Sequence, residues 1–164
     1  MKEIKALILG VGGNVSKGII KAIRKSYLNV KIIGACISAE SLGLYMCDEA
    51  YISPYSSDQK FIPWLINIFN DLCIDIVLTG VEENILEIEK NIDLFNTSSK
   101  TAFIASSYEK LLIVQDKYKT CEWLKQNNCN YPQYCRLNNL NNVHKLINKV
   151  GFPLIAKPCL GKSS

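Results

Sequence analysis

Short apolar runs alternate with amphipathic stretches along the first hundred residues of the chain. Each apolar run has the length of a buried strand, and each stretch between runs repeats its apolar positions at helical spacing. The predicted strands are 4–9, 30–36, 50–53, 75–80 and 101–105, and the predicted helices are 14–25, 58–72 and 82–95. This order predicts an α/β fold with a doubly wound, mostly parallel, Rossmann-like sheet.

The first predicted helix shows the spacing clearly. Val15, Ile19, Ile20 and Ile23 fall on one stripe of a helix and are expected to face the sheet. A strand, a glycine-containing turn, this helix and a second strand make a unit of the size of a right-handed βαβ crossover. We therefore expect the sheet to begin with two parallel strands.

The pattern changes after Ser106. Helices are predicted at 108–113, 114–126 and 141–149, and strands at 131–137 and 151–158. We predict two domains, a Rossmann-like domain at residues 1–107 and a partial α+β subdomain at residues 108–164.

Composition and charge argue against several classes of partner. The 164 residues carry a formal net charge of +4, but the lysines alternate with acids along the predicted helices, so we expect no nucleic-acid partner. No apolar run approaches the roughly 18 residues of a membrane span, and the first residues do not resemble a signal peptide. We expect a cytoplasmic protein with no membrane partner. Seven cysteines without a CxxC pair, and a single histidine, indicate reduced thiols rather than disulfides or zinc.

A glycine-rich turn follows the first predicted strand. Gly12, Gly13 and Asn14 are candidate substrate contacts, because glycines admit a ligand close to the backbone and helix N-termini hold anions. The third glycine of a dinucleotide fingerprint is replaced by Val15, and no acid ends the second strand. A packing turn, a substrate or phosphate contact and a dinucleotide site all stay open.

Two acids follow the strand at 75–80. Glu82 and Glu83 are expected at the carboxyl edge of the sheet, which faces the ligand crevice in open α/β folds. They are candidate substrate contacts. The alternative is that they only complement the dipole of the following helix, which favours acids in its first turn.

Two lysines are candidate phosphate contacts. Lys117 begins a predicted helix, and Lys157 ends a predicted strand just before a loop that contains Gly161, Ser163 and Ser164. A cation beside a glycine- and serine-containing loop suits phosphate oxygens. The alternative for each lysine is a solvated surface charge.

Read together, these motifs resemble the ATP-grasp superfamily, in particular its carbamoyl-phosphate-synthase-like members. The turn at 9–13 and the segments 47–54 and 75–78 resemble the pre-ATP-grasp domain, which covers residues 1–107. The ordered series Asp116-Lys117, Tyr131-Pro132, 151–158 and 161–164 resembles the start of the ATP-grasp A subdomain, which covers residues 108–164.

The resemblance implies activation of a carboxylate by ATP to an acyl phosphate, attack by an amine or thiol, and release of ADP and phosphate. It implies ATP contacts from Lys117 and Lys157 and a mobile phosphate loop containing Gly161, Ser163 and Ser164. It also implies Mg²⁺, whose ligands, with the arginine that steadies the acyl phosphate, are expected beyond Ser164.

We therefore expect the N-terminal fragment of a ligase that is inactive alone, with small carboxylate and amine substrates and a possible homodimer. The alternatives are an NAD(P)-binding Rossmann oxidoreductase and a non-catalytic nucleotide- or ligand-binding module.

Overall fold

The computed structural model describes residues 2–161. The chain forms two compact units, Met1–Ala105 and Ser106–Ser164. Each unit is described by itself.

The first unit is built on a five-stranded sheet. Its strands are β1 (Ile4–Leu9), β2 (Val30–Cys36), β3 (Glu49–Ile52), β4 (Ile76–Thr79) and β5 (Ala102–Phe103). They lie in the order β3-β2-β1-β4-β5, and all four pairings are parallel. The predicted doubly wound parallel sheet is confirmed.

Four α-helices and one 3-10 helix connect these strands. The 3-10 helix is Leu42–Met46, and the α-helices are α1 (Asn14–Lys25), α2 (Phe61–Asp71), α3 (Glu82–Lys90) and α4 (Ile92–Ser98). The single helix predicted at 82–95 is interrupted at Asn91. The side-chain amide of Asn91 donates to the Glu87 carbonyl over 2.8 Å. The side chain thus competes with backbone amides for a carbonyl of the helix, which favours a break.

Apolar side chains fill both faces of the sheet. Since successive residues of a strand point to opposite faces, Leu7 and Leu9 join one core cluster and Ile8 joins the other. The first cluster packs residues of α2, α3 and α4 on the sheet, and the second packs Ile20 of α1. The unit therefore has helix, sheet and helix layers.

The chain order places a topological switch point between β1 and β4. From β1 the chain proceeds outward to β2 and β3, and then returns to β4 on the other side of β1. In open parallel sheets the crevice for ligands lies at such a point, beyond the carboxyl ends of the strands. The glycine turn and the first residues of α3 follow these two strands directly.

The second unit contains the helices α5 (Tyr108–Gln115), α6 (Lys117–Gln126) and α7 (Leu140–Val150). The strands predicted at 131–137 and 151–158 are not formed, which corrects the sequence prediction. An apolar run becomes a strand only where partners pair with its backbone and cover its side chains. Between residues 106 and 161 the one buried residue is the polar Asp116, so no apolar core fixes such a sheet.

None of the helices within residues 2–161 is long and apolar enough to cross a membrane. All seven cysteines are free thiols.

Candidate functional site

The glycine turn at the end of β1 has a backbone that only glycine fits well at its first position. Gly10 has a φ of +63°, and a Cβ there would overlap the Val81 side chain. Gly12, Gly13 and Asn14 follow and are exposed at the carboxyl edge of the sheet. Gly13 caps α1 without a side-chain hydrogen bond, so the first turn of α1 presents its amides to a ligand.

A buried serine joins the loops that follow β1 and β4. The Ser16 hydroxyl donates to the Leu9 carbonyl over 2.8 Å and accepts from the Gly80 amide over 3.0 Å. The Thr79 hydroxyl donates to the same Leu9 carbonyl over 3.3 Å. These bonds hold the two loops of the switch point together, so their relative position does not depend on a ligand.

Replacing Ser16 with alanine is expected to destabilise the first unit by about 1–3 kcal/mol, because the buried Leu9 carbonyl and the partly buried Gly80 amide each lose a partner. The measurement is urea unfolding of the Ser16→Ala variant. Ser57→Ala, at an exposed serine, is the matched control and should change stability by less than about 0.5 kcal/mol. Equal effects of the two substitutions would show that Ser16 does not hold the loops.

Two carboxylates lie on the β4 side of the switch point. Glu82 and Glu83 occupy the first turn of α3, whose N-cap residue Val81 packs beneath Gly10. The structure thus brings these glutamates and the glycine turn to the same edge of the sheet. Negative charge at this edge favours an amine or hydroxyl group of a ligand over a phosphate.

A cysteine ends β2 beside the glycine turn. Cys36 is 7% exposed, and a Cβ on Gly12 would lie 3.2 Å from its sulfur and 2.8 Å from the Ser41 hydroxyl. Burial alone would raise the pKa of this thiol. Hydrogen bonds from the Ser38 amide, the Ser41 hydroxyl and the Gly12 and Ile37 amides outweigh burial and hold the pKa below its ordinary value.

The Ser41 hydroxyl is buried and has no other hydrogen-bond partner among residues 2–161.

Because β2 ends in a thiol and not in a carboxylate, this edge lacks the acid that binds a ribose hydroxyl in dinucleotide folds. That absence within the sequence of β2 weighs against the NAD(P) alternative.

The lowered pKa of Cys36 makes folding stability depend on pH. Below the ordinary thiol pKa of roughly 8.5, and down to the lowered pKa, the unfolded chain binds more protons than the folded chain. Stability therefore rises with pH through this window and is lost as pH falls through the lowered pKa. We expect the stability difference between wild type and Cys36→Ser to grow with pH, as measured by urea unfolding in reducing buffer.

The exposed Cys73 provides the control for that measurement. Cys73→Ser should leave the pH dependence of stability unchanged. The difference in unfolding free energy between wild type and Cys36→Ser could instead stay constant across this pH window. That result would show that the amides do not favour the thiolate.

A second arrangement lies at the N-terminus of α6. The Asp116 carboxylate is 7% exposed and accepts hydrogen bonds from the amides of Tyr118 (2.9 Å) and Lys119 (3.2 Å). The Lys117 amide donates to the Cys159 carbonyl over 3.0 Å, and the Lys117 ammonium donates to the Gly161 carbonyl over 2.9 Å. Lys117 and Gly161, both predicted site residues, are thereby brought together.

Gly161 has a φ of +105°, and a Cβ there would meet no atom within 4 Å. Glycine is therefore required by the backbone conformation and not by close packing. The Lys117 ammonium uses one donor on the Gly161 carbonyl and keeps two others for an anion.

Lys157 is exposed, and no hydrogen bond or ion pair joins it to another residue of the described range 2–161. The structure gives it no contact with Lys117. The predicted loop residues Ser163 and Ser164 lie outside the described residues. Within residues 2–161 there is no group of three or more His, Cys, Asp or Glu side chains that could hold a metal ion.

Sequence reasoning missed Ser16, Cys36 and Ser41. A small polar residue on the buried face of α1 is a weak signal for Ser16, since serine at that spacing is also common on exposed faces. Nothing in the sequence predicts the contact between Cys36 and Ser41, which depends on how residues 37–46 fold back on the glycine turn.

Comparison with solved structures identifies the architecture. N5-carboxyaminoimidazole synthetase from Staphylococcus aureus, crystallised with ADP, matches with a TM-score of 0.67 and 18% identity over 97% of this chain and 39% of its own. The biotin carboxylase domain of Hydrogenobacter thermophilus 2-oxoglutarate carboxylase, crystallised as a dimer with MgADP, ADP and bicarbonate, matches with a TM-score of 0.58 and 15% identity over 91% of this chain and 33% of its own.

L-amino acid ligase from Bacillus licheniformis matches with a TM-score of 0.54 and 14% identity, over 90% of this chain and 41% of its own. All three are ATP-grasp enzymes. This chain shares the fold of the matched part of these ATP-grasp enzymes. No protein-family model and no curated protein sequence matches the chain.

The ATP-grasp likeness is confirmed for the fold. The chain spans about 39% of the length of the Staphylococcus enzyme. The narrower resemblance to carbamoyl-phosphate-synthase-like members stays a prediction, as do the roles of the individual site residues.

Proposed function

We propose that the chain is the N-terminal part of an ATP-dependent ligase that joins a carboxylate to an amine or a thiol. The reaction would form an acyl phosphate and release ADP and phosphate. The observation that carries the proposal is the attachment of Lys117 to the segment 159–161, within a chain that shares its fold with ATP-grasp enzymes.

Lys117 and Lys157 would supply positive charge to the phosphates of ATP. The residues present fit a nucleotide phosphate, since the Lys117 ammonium retains free donors and the adjoining Gly161 has the backbone freedom of a loop that moves. The buried Asp116 caps α6 and so fixes the backbone from which the Lys117 side chain starts. When bound, ATP would supply the phosphoryl group that activates the carboxylate.

The first unit would contribute to binding the second substrate. Gly12, Gly13 and Asn14 lie at the same sheet edge as Glu82 and Glu83. Two carboxylates beside exposed backbone suit an amine or a hydroxyl-bearing small molecule. We propose this edge as the contact for the nucleophilic substrate.

The Mg²⁺ that the resemblance implies does not fit the described residues, because no suitable cluster of donor side chains occurs in 2–161. We propose that its ligands belong to other parts of a complete ATP-grasp domain, and that residues 1–164 do not turn over substrate alone. A homodimer is a further proposal. It is supported by the outer edge of β3, which pairs with no strand in the described chain, and the oligomeric state in solution tests it.

Nucleotide binding tests the proposal. Calorimetric titration should show that ATP binds to the chain. Lys117→Ala and Lys157→Ala should each raise the Kd for ATP by about 10–100-fold, because each variant loses one charge-assisted hydrogen bond. Lys110→Ala, at an exposed lysine of α5, removes the same charge and should leave the Kd within twofold.

The same experiment separates the alternatives. NAD and NADP should not bind, and saturable NAD binding that is lost on Gly12→Val would favour the oxidoreductase alternative. ATP binding that is indifferent to both lysine substitutions would overturn the assignment of the phosphate contacts. ADP release with ATP, Mg²⁺ and a mixture of amino acids would show that residues 1–164 do turn over.

A further inference from the structure

The second unit contains an open groove that the proposed ligase reaction does not use. It is lined by residues of α6, of the segment 131–138 and of α7, and has a volume of about 650 Å³. Cavities that hold small ligands span about 300–1,000 Å³. We call it the basic groove, because its lining includes Lys125, Arg136, Lys145 and Lys149 against the single carboxylate of Glu122.

One wall of the basic groove consists of three tyrosine rings that contact one another. The rings of Tyr118 and Tyr134 meet edge to face with centroids 5.4 Å apart, and those of Tyr131 and Tyr134 do so at 6.0 Å. The Tyr134 hydroxyl donates a hydrogen bond to the Glu122 carboxylate. Rings held by each other and by a carboxylate give a wall that needs little ordering when a ligand binds.

The same hydrogen bond engages the one carboxylate of the groove lining. Burial and the hydrogen bond to Glu122 raise the pKa of Tyr134 well above its ordinary range, so the phenol stays protonated and keeps donating. In the described part of the chain Tyr134 occupies one oxygen of Glu122, and Glu122 forms no ion pair with a cation of the groove.

The cations of the basic groove have no carboxylate within ion-pair distance. In the described part of the chain no ion pair involves Lys125, Arg136, Lys145 or Lys149. Lys145 and Lys149 are one helical turn apart on α7, and both line the groove. Repulsion between like charges at this spacing destabilises a helix. An anion between them would reverse that cost.

Arg136 joins the two features. Its guanidinium carbon lies 4.0 Å from the centre of the Tyr118 ring. A guanidinium stacked in this way leaves its N–H donors at its edge, available to phosphate oxygens. Positive charge and aromatic faces therefore line the same groove.

We propose that the basic groove is a second ligand site, distinct from the residues Lys117, Lys157 and Gly161, and that its ligand is a nucleoside phosphate. The lysines and Arg136 would hold the phosphate, and the tyrosine wall would hold the base. A bare polyanion would use only the charges, and a neutral nucleoside only the rings.

The test is calorimetric titration of the chain with AMP at low ionic strength. The double variant Lys145→Ala/Lys149→Ala should raise the Kd at least tenfold, and Tyr118→Leu should weaken AMP while leaving inorganic pyrophosphate within twofold. The matched control Lys21→Ala/Lys25→Ala removes the same charge from an exposed face of α1 and should change neither. Alanine favours the helix of α7, and circular dichroism checks that each variant is folded.

Several outcomes would overturn the proposal. AMP binding lost equally in both double-lysine variants would mean non-specific charge. Pyrophosphate binding as tightly as AMP would exclude a role for the rings, and tighter binding of longer single-stranded oligonucleotides would indicate a nucleic-acid surface. AMP binding abolished by Lys117→Ala/Lys157→Ala but not by Lys145→Ala/Lys149→Ala would place AMP at the proposed ATP site. If ATP binding fails but AMP binding behaves as expected, the ligase proposal fails and this one stands.

Discussion

Replacing Gly43 with alanine is expected to destabilise the first unit by about 3 kcal/mol or more, the upper part of the range for forced overpacking. Gly43 is buried in the 3-10 helix Leu42–Met46. A Cβ there would overlap the backbone carbonyl of Val11 and lie 2.9 Å from the Val11 Cβ. Because the atom in the way is backbone, it cannot rotate aside, and the glycine turn itself would have to shift.

Gly18→Ala is the matched control for this prediction. Gly18 lies inside α1, and a Cβ there meets no atom within 4 Å. Alanine should therefore stabilise the helix by about 0.5–1 kcal/mol. Urea unfolding of both variants gives the two changes, which should have opposite signs. A Gly43→Ala variant of wild-type stability would mean that the 3-10 helix moves freely away from the turn.

The centre of the sheet in the first unit was predictable because most residues of β1 and β2 are buried. Such strands appear in the sequence as continuous apolar runs. The predicted strands 4–9 and 30–36 match β1 and β2, whereas the strand predicted at 101–105 shortens to Ala102–Phe103. Parallel pairing and right-handed crossovers then leave few possible arrangements. The strand order β3-β2-β1-β4-β5 is one of the common outcomes of that rule.

The exact face of a helix was harder to predict. The periodicity placed Val15 on the apolar stripe of α1, but Val15 is 63% exposed while the neighbouring Ser16 is 1% exposed. Gly80 packs against Val15, and the Ser16 hydroxyl satisfies a carbonyl and an amide that no apolar side chain could. Hydrogen-bonding demand at the switch point overrides the hydrophobic pattern there.

The candidate sites depended still more on tertiary structure. The sequence indicated Lys117 and the glycine loop separately, but only the fold joins the ammonium to the Gly161 carbonyl. The basic groove has no sequence signal, because Tyr118, Arg136 and Lys149 come from three separate segments. The segments 131–137 and 151–158 have strand-like patterns but form no strands. The pattern of one segment does not specify which other segment would pair with its backbone.

Amide hydrogen exchange is expected to differ by orders of magnitude between the two units. Every buried hydrophobic residue of the described chain lies between Ala6 and Phe95. A domain stability of about 5 kcal/mol would protect the central amides of β1 and β2 by roughly 10³–10⁴-fold. Amides of α5, α6 and α7 lack such a core beneath them and should show less than about 100-fold protection. Exchange measured peptide by peptide with mass spectrometry gives both values.

Ligand binding should change this contrast in one unit only. A ligand at 100 times its Kd stabilises the structure that binds it by about 2.7 kcal/mol, close to a hundredfold in protection. ATP held by Lys117, or AMP held in the basic groove, should therefore slow exchange in α6 and α7 and leave β1 unchanged. Lys110→Ala should keep the ATP effect and Lys117→Ala should lose it. Strong protection of α7 without ligand would contradict the argument, because it would require a buried apolar core between residues 106 and 161 that the fold does not contain.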